Sequence, residues 1–250
     1  MPIQKRCTIV KREQLTPDVV SLTLMAGKLA QSANPGQFVN VKCGADNLLR
    51  RPISICDAEG DLLRIVFQVK GAGTQWLARR SAGHSVDVLG PLGHGYDYPE
   101  TGKVLVVGGG IGVPPMLLAG KAAPGGAVAA LGFRNKDAVI LTGDFESAGM
   151  SVKIASDDGS VGHHGFVDAL VREYLREDRA IAAVFACGPK SMLKNVYLAA
   201  KEYETPCFVS MEERMGCGVG ACLVCACSVG GHYRHVCKDG PVFNAEEVDW

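Results

Sequence analysis

The chain has 250 residues, enough for one or two domains with a sizeable core, and 47% of them are hydrophobic. Lys and Arg together number 26, as do Asp and Glu, so no net charge is available to attract nucleic acid or an anionic membrane. The sequence has no run of apolar residues long enough for a membrane span and no recognisable export signal. We therefore expect small-molecule or protein partners and a cytoplasmic location, where ten cysteines would stay reduced.

The first segment, residues 1–99, alternates short apolar runs with turn signals. These runs are CTIVKREQL, VVSLTLM, QFVNVKC, PISICD, LLRIVFQV and SVDVLG. Several short strands at this spacing predict a small antiparallel β-barrel, with one helix near residues 74–80.

Two motifs in this segment have the chemistry to hold a ligand. Arg51 and Ser54 stand three residues apart, and a guanidinium suits phosphate while a hydroxyl can bond to the edge of a flavin ring. In a flat strand the two side chains would face opposite ways, so sharing a ligand needs a bend or the geometry of Pro52. Residues 70–74, KGAGT, open the helix and form a second candidate phosphate site. The alternative for both motifs is an edge strand and an ordinary helix N-cap.

The second segment, residues 100–209, alternates strands with helices after a linker at residues 99–102. Its predicted strands are KVLVV, AVAALGF, SVKIAS, AAVFAC and CFVSME, and its periodic helices lie near residues 166–175 and 191–203. This order predicts a parallel sheet covered on both faces.

Two loops follow strands of this predicted sheet. The run GGGIGVPP at 108–115 departs from G-x-G-x-x-G because Pro114 replaces the third glycine, yet it can admit a pyrophosphate at the start of a helix. It can also be read as a tight strand-to-helix connection alone. A second loop, CGP at 187–189, follows a later strand. Because ligands bind beyond the carboxyl ends of such strands, both loops should face one crevice.

The third segment, residues 210–250, contains a C-x4-C-x2-C run formed by Cys217, Cys222 and Cys225, and Cys237 follows after eleven residues. This is the spacing of plant-type [2Fe-2S] ferredoxins. Zinc sites more often pair their ligands as C-x2-4-C units, so zinc is the weaker interpretation. A segment this small should need its metal centre to fold. Cys227 lies outside the spacing, and a tuning role for His235 stays open.

The order RPIS, GxGT, GGGIGxPP and CGP resembles the ferredoxin-NADP reductase superfamily, in which a flavin-binding β-barrel precedes a Rossmann-like nicotinamide-binding α/β domain. The tail MEERMGCGVGACLVCAC with VCKDGPVF resembles the electron-transfer subunits of two-component, NAD-dependent dihydroorotate dehydrogenases. The resemblance covers essentially the whole chain, although the interval from Cys225 to Cys237 is short for the family.

The resemblance implies binding sites for three cofactors. FAD would be bound by Arg51, Pro52, Ile53, Ser54, Gln68, Val69, Lys70, Gly73 and Thr74. NAD would lie by Gly109, Gly110, Ile111, Gly112, Pro114, Cys187, Gly188 and Pro189. The [2Fe-2S] cluster would be held by Cys217, Cys222, Cys225 and Cys237.

The implied activity is electron transfer in pyrimidine biosynthesis. Electrons would pass from dihydroorotate to FMN on a separate catalytic subunit, then through the cluster and FAD of this chain to NAD+, in a heterotetramer of two plus two subunits. No catalytic side chain for the pyrimidine is expected here. The sequence does not decide NAD against NADP, because Arg134 and Lys136 follow the second α/β strand.

Two alternatives remain. The small subunits of NADH-dependent ferredoxin-NADP oxidoreductases and sulfide dehydrogenases resemble this chain, but Cys217 and Lys238 favour the pyrimidine enzyme. A non-enzymatic zinc protein is the other, and colour would distinguish it, because FAD with [2Fe-2S] is yellow-brown.

Overall fold

The computed structural model describes residues 2–250, and these form two compact units. The first unit consists of the chain as far as Gly95 together with Glu213–Cys227 and Arg234–Pro241. The second consists of Tyr96–Glu212, Ser228–Tyr233 and Val242–Trp250. The predicted boundaries after residues 99 and 209 divide the chain by expected cofactor and not by compactness. They stay a prediction.

The first unit is built on a closed antiparallel barrel of six strands in the order β1-β2-β5-β4-β3-β6. The strands are β1 (Ile3–Thr16), β2 (Val19–Met25), β3 (Phe38–Lys42), β4 (Arg51–Glu59), β5 (Leu62–Gln68) and β6 (Ser85–Leu92). Two short helices, α1 (Lys28–Gln31) and α2 (Ala72–Ala78), lie in its connections. The barrel and the helix near residue 74 confirm the predicted fold of this segment.

Alternation of side chains fills the barrel. On β6, Val86 and Val88 are buried whereas Ser85 and Asp87 are partly exposed. On β4, Ile53 and Ile55 are buried while Pro52 is exposed and Ser54 is partly exposed. Because successive side chains of a strand point to opposite faces, the buried set lines the interior and Pro52 and Ser54 lie on the outer face.

The second unit contains a seven-stranded sheet in the order β10-β9-β8-β7-β11-β12-β15, parallel except for the last strand. Its strands are β7 (Lys103–Gly109), β8 (Ala127–Phe133), β9 (Ser151–Ser156), β10 (His163–His164), β11 (Ile181–Cys187), β12 (Cys207–Ser210) and β15 (Val242–Asn244). Its helices are α3 (Val113–Lys121), α4 (Thr142–Ser147), α5 (Asp168–Glu177) and α6 (Lys190–Glu202). The alternating pattern thus forms the predicted parallel sheet, although α4, β10 and β15 were not predicted.

Burial explains why the central strands of this sheet are continuously apolar. Val104, Leu105, Val106 and Val107 of β7 are each at most 1% exposed, as expected for a strand covered on both faces. No helix within residues 2–250 is long and apolar enough to cross a membrane.

The residues after 212 do not form a unit of their own. They include a hairpin of β13 (Ala226–Val229) and β14 (His232–His235), and then β15, which pairs antiparallel with β12. All four cysteines of the predicted cluster belong to the same unit as the barrel.

Candidate cofactor-binding sites

The four cysteines of the predicted cluster lie in two pairs. The Cys217 N–H donates to the Sγ of Cys222 at 3.3 Å, and the Cys237 N–H donates to the Sγ of Cys225 at 3.4 Å. The Gly220 N–H reaches the Sγ of Cys237 at 3.1 Å, so the loop that carries the first pair also contacts the second. Ligands distant in the sequence are therefore brought together.

Backbone N–H groups surround the sulfur of Cys217. Those of Val219, Ala221 and Cys222 lie 3.4, 3.2 and 3.4 Å from it. Although partial burial opposes ionisation, these hydrogen bonds lower the pKa of Cys217 to about 6. By contrast, burial and the neighbouring Cys225 thiol raise the pKa of Cys237 to about 12.

This donor set fits an iron-sulfur cluster. All four cysteines are free thiols, two pairs of thiolates suit two irons, and N–H groups aimed at sulfur stabilise its negative charge. Within residues 2–250, no three His, Cys, Asp or Glu side chains are placed to hold one metal ion. The assignment of each cysteine as a ligand stays a prediction.

Two other residues of the cysteine segment were considered in the prediction of the cluster site. Cys227 is a buried residue of β13. The His235 ring nitrogen Nδ1 lies 3.5 Å from an Asp239 carboxylate oxygen, and the same carboxylate accepts the His235 backbone N–H at 2.7 Å.

The two candidate flavin motifs come together at the start of α2. A Cβ on Gly73 would lie 2.4 Å from Nε of Arg51, so the absence of a side chain leaves room for the guanidinium. The Thr74 hydroxyl accepts the N–H groups of Lys70 and Gly71 at 2.9 and 3.1 Å, which fixes the turn. A cation beside a helix start fits the diphosphate of FAD.

The remaining predicted flavin residues lie on adjoining strands. Ser54 and Pro52 occupy the outer face of β4, while Ile53 between them is buried in the barrel. Gln68 ends β5 and donates to Asp18, and the Val69 N–H donates to the Asp18 carbonyl. The outer face of β4 is thus available to a flavin ring, and these contacts stay predictions.

The two candidate nucleotide loops are adjacent because β7 and β11 are neighbours, with Gly108 opposite Cys187. A Cβ on Gly112 would lie 2.3 Å from the Cys187 carbonyl oxygen, and one on Gly109 would lie 2.2 Å from Sδ of Met192. Gly112 is therefore required by packing, because a Cβ there would meet backbone, whereas the atom nearest to Gly109 belongs to the flexible Met192 side chain. Gly110, with φ +53° and open space where a Cβ would stand, is the position at which a ligand can approach the backbone.

Pro114 of the loop that was predicted to hold nucleotide lies at the start of α3. Ile111 lies in the 3-10 turn of Gly110–Gly112, and Pro189 precedes α6. Burial raises the pKa of the Cys187 thiol to about 12, so it is neutral at physiological pH. Both loops stand at the carboxyl ends of parallel strands, where such sheets bind their ligands.

Sequence reasoning missed Asn40 of β3, which is 1% exposed. Its Nδ2 donates to the carbonyl of Cys217 at 3.1 Å. A polar residue inside the apolar run QFVNVKC was the available signal.

The closed antiparallel barrel, the parallel α/β sheet with its glycine loop, and the thiol site define an iron-sulfur flavoprotein of the ferredoxin reductase class. A ferredoxin reductase of carbazole 1,9a-dioxygenase shares the fold, with a TM-score of 0.68 over 82% of this chain and 67% of that one at 19% identity. A chain of NADH-dependent reduced ferredoxin-NADP oxidoreductase superimposes with a TM-score of 0.89 over 98% of this chain and 90% of that one, at 32% identity.

Sequence comparison identifies the family within this class of flavoproteins. The model of the iron-sulfur cluster binding domain of dihydroorotate dehydrogenase B matches residues 212–249. The dihydroorotate dehydrogenase B (NAD(+)) electron transfer subunit of Geobacillus thermodenitrificans is 43% identical over 258 residues, and that of Enterococcus faecalis strain V583 is 39% identical over 259 residues. Each alignment covers 98% of both chains. The chain belongs to the family of dihydroorotate dehydrogenase B electron transfer subunits.

Proposed function

We propose that this chain is the electron transfer subunit of an NAD+-dependent dihydroorotate dehydrogenase and acts in pyrimidine biosynthesis. It binds FAD and a [2Fe-2S] cluster, and NAD+ is its diffusible substrate. The observation that carries the proposal is that four paired thiols lie in the same unit as the flavin-type barrel of a chain from this family.

The chemistry of this role is conversion between one-electron and two-electron transfer. A flavin exchanges hydride with nicotinamide and single electrons with an iron-sulfur cluster. The protein's part is placement: Arg51 and the α2 turn hold phosphate, Ser54 presents a hydroxyl on the outer face of β4, and N–H groups of the cysteine loop stabilise charge on sulfur.

The residues that bind each cofactor are those predicted above. For FAD they are Arg51 to Ser54, Gln68 to Lys70, Gly73 and Thr74. For NAD+ they are Gly109 to Gly112, Pro114 and Cys187 to Pro189. For the cluster they are the four cysteines in two pairs.

The partner is a catalytic subunit, because an electron transfer subunit needs a source of electrons. We propose that it carries FMN, oxidises dihydroorotate and assembles with this chain as two plus two subunits in the cytoplasm. The ten cysteines, none of which forms a disulfide within residues 2–250, support a reducing compartment.

The choice of NAD+ over NADP+ is supported by the relatives, whose names specify NAD(+) for dihydroorotate dehydrogenase B electron transfer subunits at 43% and 39% identity.

The test is dihydroorotate-dependent reduction of NAD+ by the complex that copurifies with this chain from its native host. We expect a copurified FMN protein and formation of NADH that stops when dihydroorotate is omitted. A preparation that oxidises NADH with artificial acceptors but ignores dihydroorotate would refute the partner and favour another flavin and iron-sulfur oxidoreductase, of ferredoxin-NADP or sulfide dehydrogenase type.

A further inference from the structure

Asn40 points away from the interior of the barrel. On β3 it alternates with Val39 and Val41, which are completely buried, and it is paired with Pro52 across the strands. Because paired residues share a face, Asn40 lies on the outer face of the barrel, next to the strand that carries the flavin motif.

Asn40 is nevertheless only 1% exposed, and the cysteine loop at residues 216–221 explains why. Its Nδ2 donates to the Cys217 carbonyl at 3.1 Å. A Cβ on Gly218 would lie 2.0 Å from the same nitrogen, so the loop approaches as closely as glycine allows. One amide therefore joins β3, the neighbour of the predicted flavin-binding strand β4, to a predicted cluster ligand.

The Asn40 side chain also contains an unpaired hydrogen-bond acceptor. Its Oδ1 is buried and has no partner within residues 2–250. An amide oxygen buried in this way destabilises a fold, and an apolar side chain of similar size would avoid the cost. Such violations of packing rules are concentrated at functional sites, so we look for the function of Asn40 in the contact that it does make.

We propose that Asn40 is a positioning residue that holds the Cys217 loop against β3, next to the predicted flavin-binding strand β4, and thereby sets the rate of electron transfer between cluster and flavin. The inference rests on the proposed function, because it requires both cofactors. Electron transfer slows exponentially with distance, so a loop held by a single buried hydrogen bond has a strong influence on the rate. The contact places the Cys217 backbone at the outer face of β3, beside β4.

The test compares Asn40→Leu with Asn40→His in the holo-complex. Leucine removes the donor and the unpaired oxygen, whereas a histidine ring nitrogen can still donate. The complex is reduced chemically and mixed with NAD+, and flavin and cluster are followed by stopped-flow absorbance and freeze-quench EPR. The reduced flavin gives NAD+ a hydride, which carries two electrons and a proton, and the reduced cluster then gives one electron to the oxidised flavin.

In Asn40→Leu we expect hydride transfer at the wild-type rate, a wild-type EPR spin count for the cluster, and cluster reoxidation slowed at least severalfold. Asn40→His should recover most of the rate. Gln37→Leu is the matched control, because Gln37 also donates from a barrel strand end to a carbonyl, that of Gly93 at 2.8 Å, without touching the cysteine loop.

Wild-type cluster reoxidation in Asn40→Leu with a full cluster would overturn the inference. If that variant binds less iron, the rate per cluster present is measured in Asn40→Ala, which also removes the donor, and a wild-type value there overturns the inference equally. Failure of the proposed function would show itself differently, in a wild-type complex that has no cluster signal or does not respond to NAD+.

Discussion

Cys217 illustrates how backbone geometry prepares a side chain for a metal centre. Three N–H groups of its own loop point at its sulfur and lower the pKa of the thiol to about 6, so much of it is thiolate at neutral pH. Cys237 receives less compensation for burial, and its pKa is raised to about 12. Because iron binds thiolate, the loop containing Cys217 is the part of the site that is electrostatically ready for it.

Cys225→Ser should abolish the cluster because it replaces the buried partner of Cys237. We expect loss of cluster absorbance and of dihydroorotate-dependent NAD+ reduction, while NADH still reduces FAD. Iron and sulfide analysis with visible absorption spectra measures the first effect, and a dye-reduction assay measures the last.

Cys227→Ser is the matched control, since Cys227 is also a buried cysteine outside any disulfide but lies outside the C-x4-C-x2-C spacing. Its iron content should equal that of wild type. Equal iron loss in both variants would show that the segment tolerates no serine, and a full cluster in Cys225→Ser would remove Cys225 from the ligand set.

The sequence predicts residues whose meaning lies in local spacing and misses those defined by distant contacts. Cys217, Cys222 and Cys225 are recognisable because a chelating loop fixes their separation. Asn40 and Cys217 are 177 positions apart in the sequence, and a single asparagine in a strand does not indicate which distant residue it contacts. The proximity of Arg51 to Gly73 is hidden for the same reason, since the start of strand β4 and the start of helix α2 meet only after the barrel closes.

At the scale of elements, the helix and strand periods were the reliable signals. The 3.6-residue period predicts an apolar face of Phe166, Leu170, Val171 and Tyr174; helix α5 buries the last three, whereas Phe166 precedes the helix and is 68% exposed. The short elements β10, β15 and α4 escaped prediction because no period emerges over so few residues. Strand β15 is ordered by pairing with β12, which is a tertiary effect.

The adjacency of the two nucleotide loops yields a prediction for Gly112→Ala. The new Cβ would lie 2.3 Å from the Cys187 carbonyl oxygen and 2.7 Å from the Gly188 nitrogen, and backbone atoms cannot rotate away. The loops must separate, so we expect the KM for NADH to rise about tenfold or more, as displacements near 1 Å do in other sites. Bound FAD, held by the barrel, should be unchanged.

Steady-state NADH oxidation with ferricyanide measures this KM, and flavin absorbance measures FAD content. Gly143→Ala in α4 is the matched control, because it lies in the same unit and its Cβ would meet nothing within 4 Å. A normal KM in Gly112→Ala would mean that the nucleotide does not need the two loops in contact.

On the scale of the whole molecule, the chain order of the segments does not match the division into units. After residue 212 the chain belongs to the first unit, then the second, then the first and finally the second. The cysteine motif predicts a cluster-binding segment at residues 210–250. The structure groups 213–227 and 234–241 with the barrel, so the thiols and the flavin motif are parts of one compact unit.

This division into units predicts which residues become less ordered when the cluster is removed. The parts of the cysteine segment in the first unit contain no helix and few fully buried side chains, among them Cys225, Val236 and Cys237. Without iron, their order depends on that small core alone, whereas the α/β sheet has its own continuous core. We expect hydrogen exchange after anaerobic iron chelation to rise strongly in 213–227 and 234–241 and to stay unchanged in β7 and β11. Reconstitution with iron and sulfide should reverse the rise in exchange, which distinguishes loss of the cluster from damage by the chelator. Equal exchange in apo and holo protein would mean that the segment folds without its metal centre.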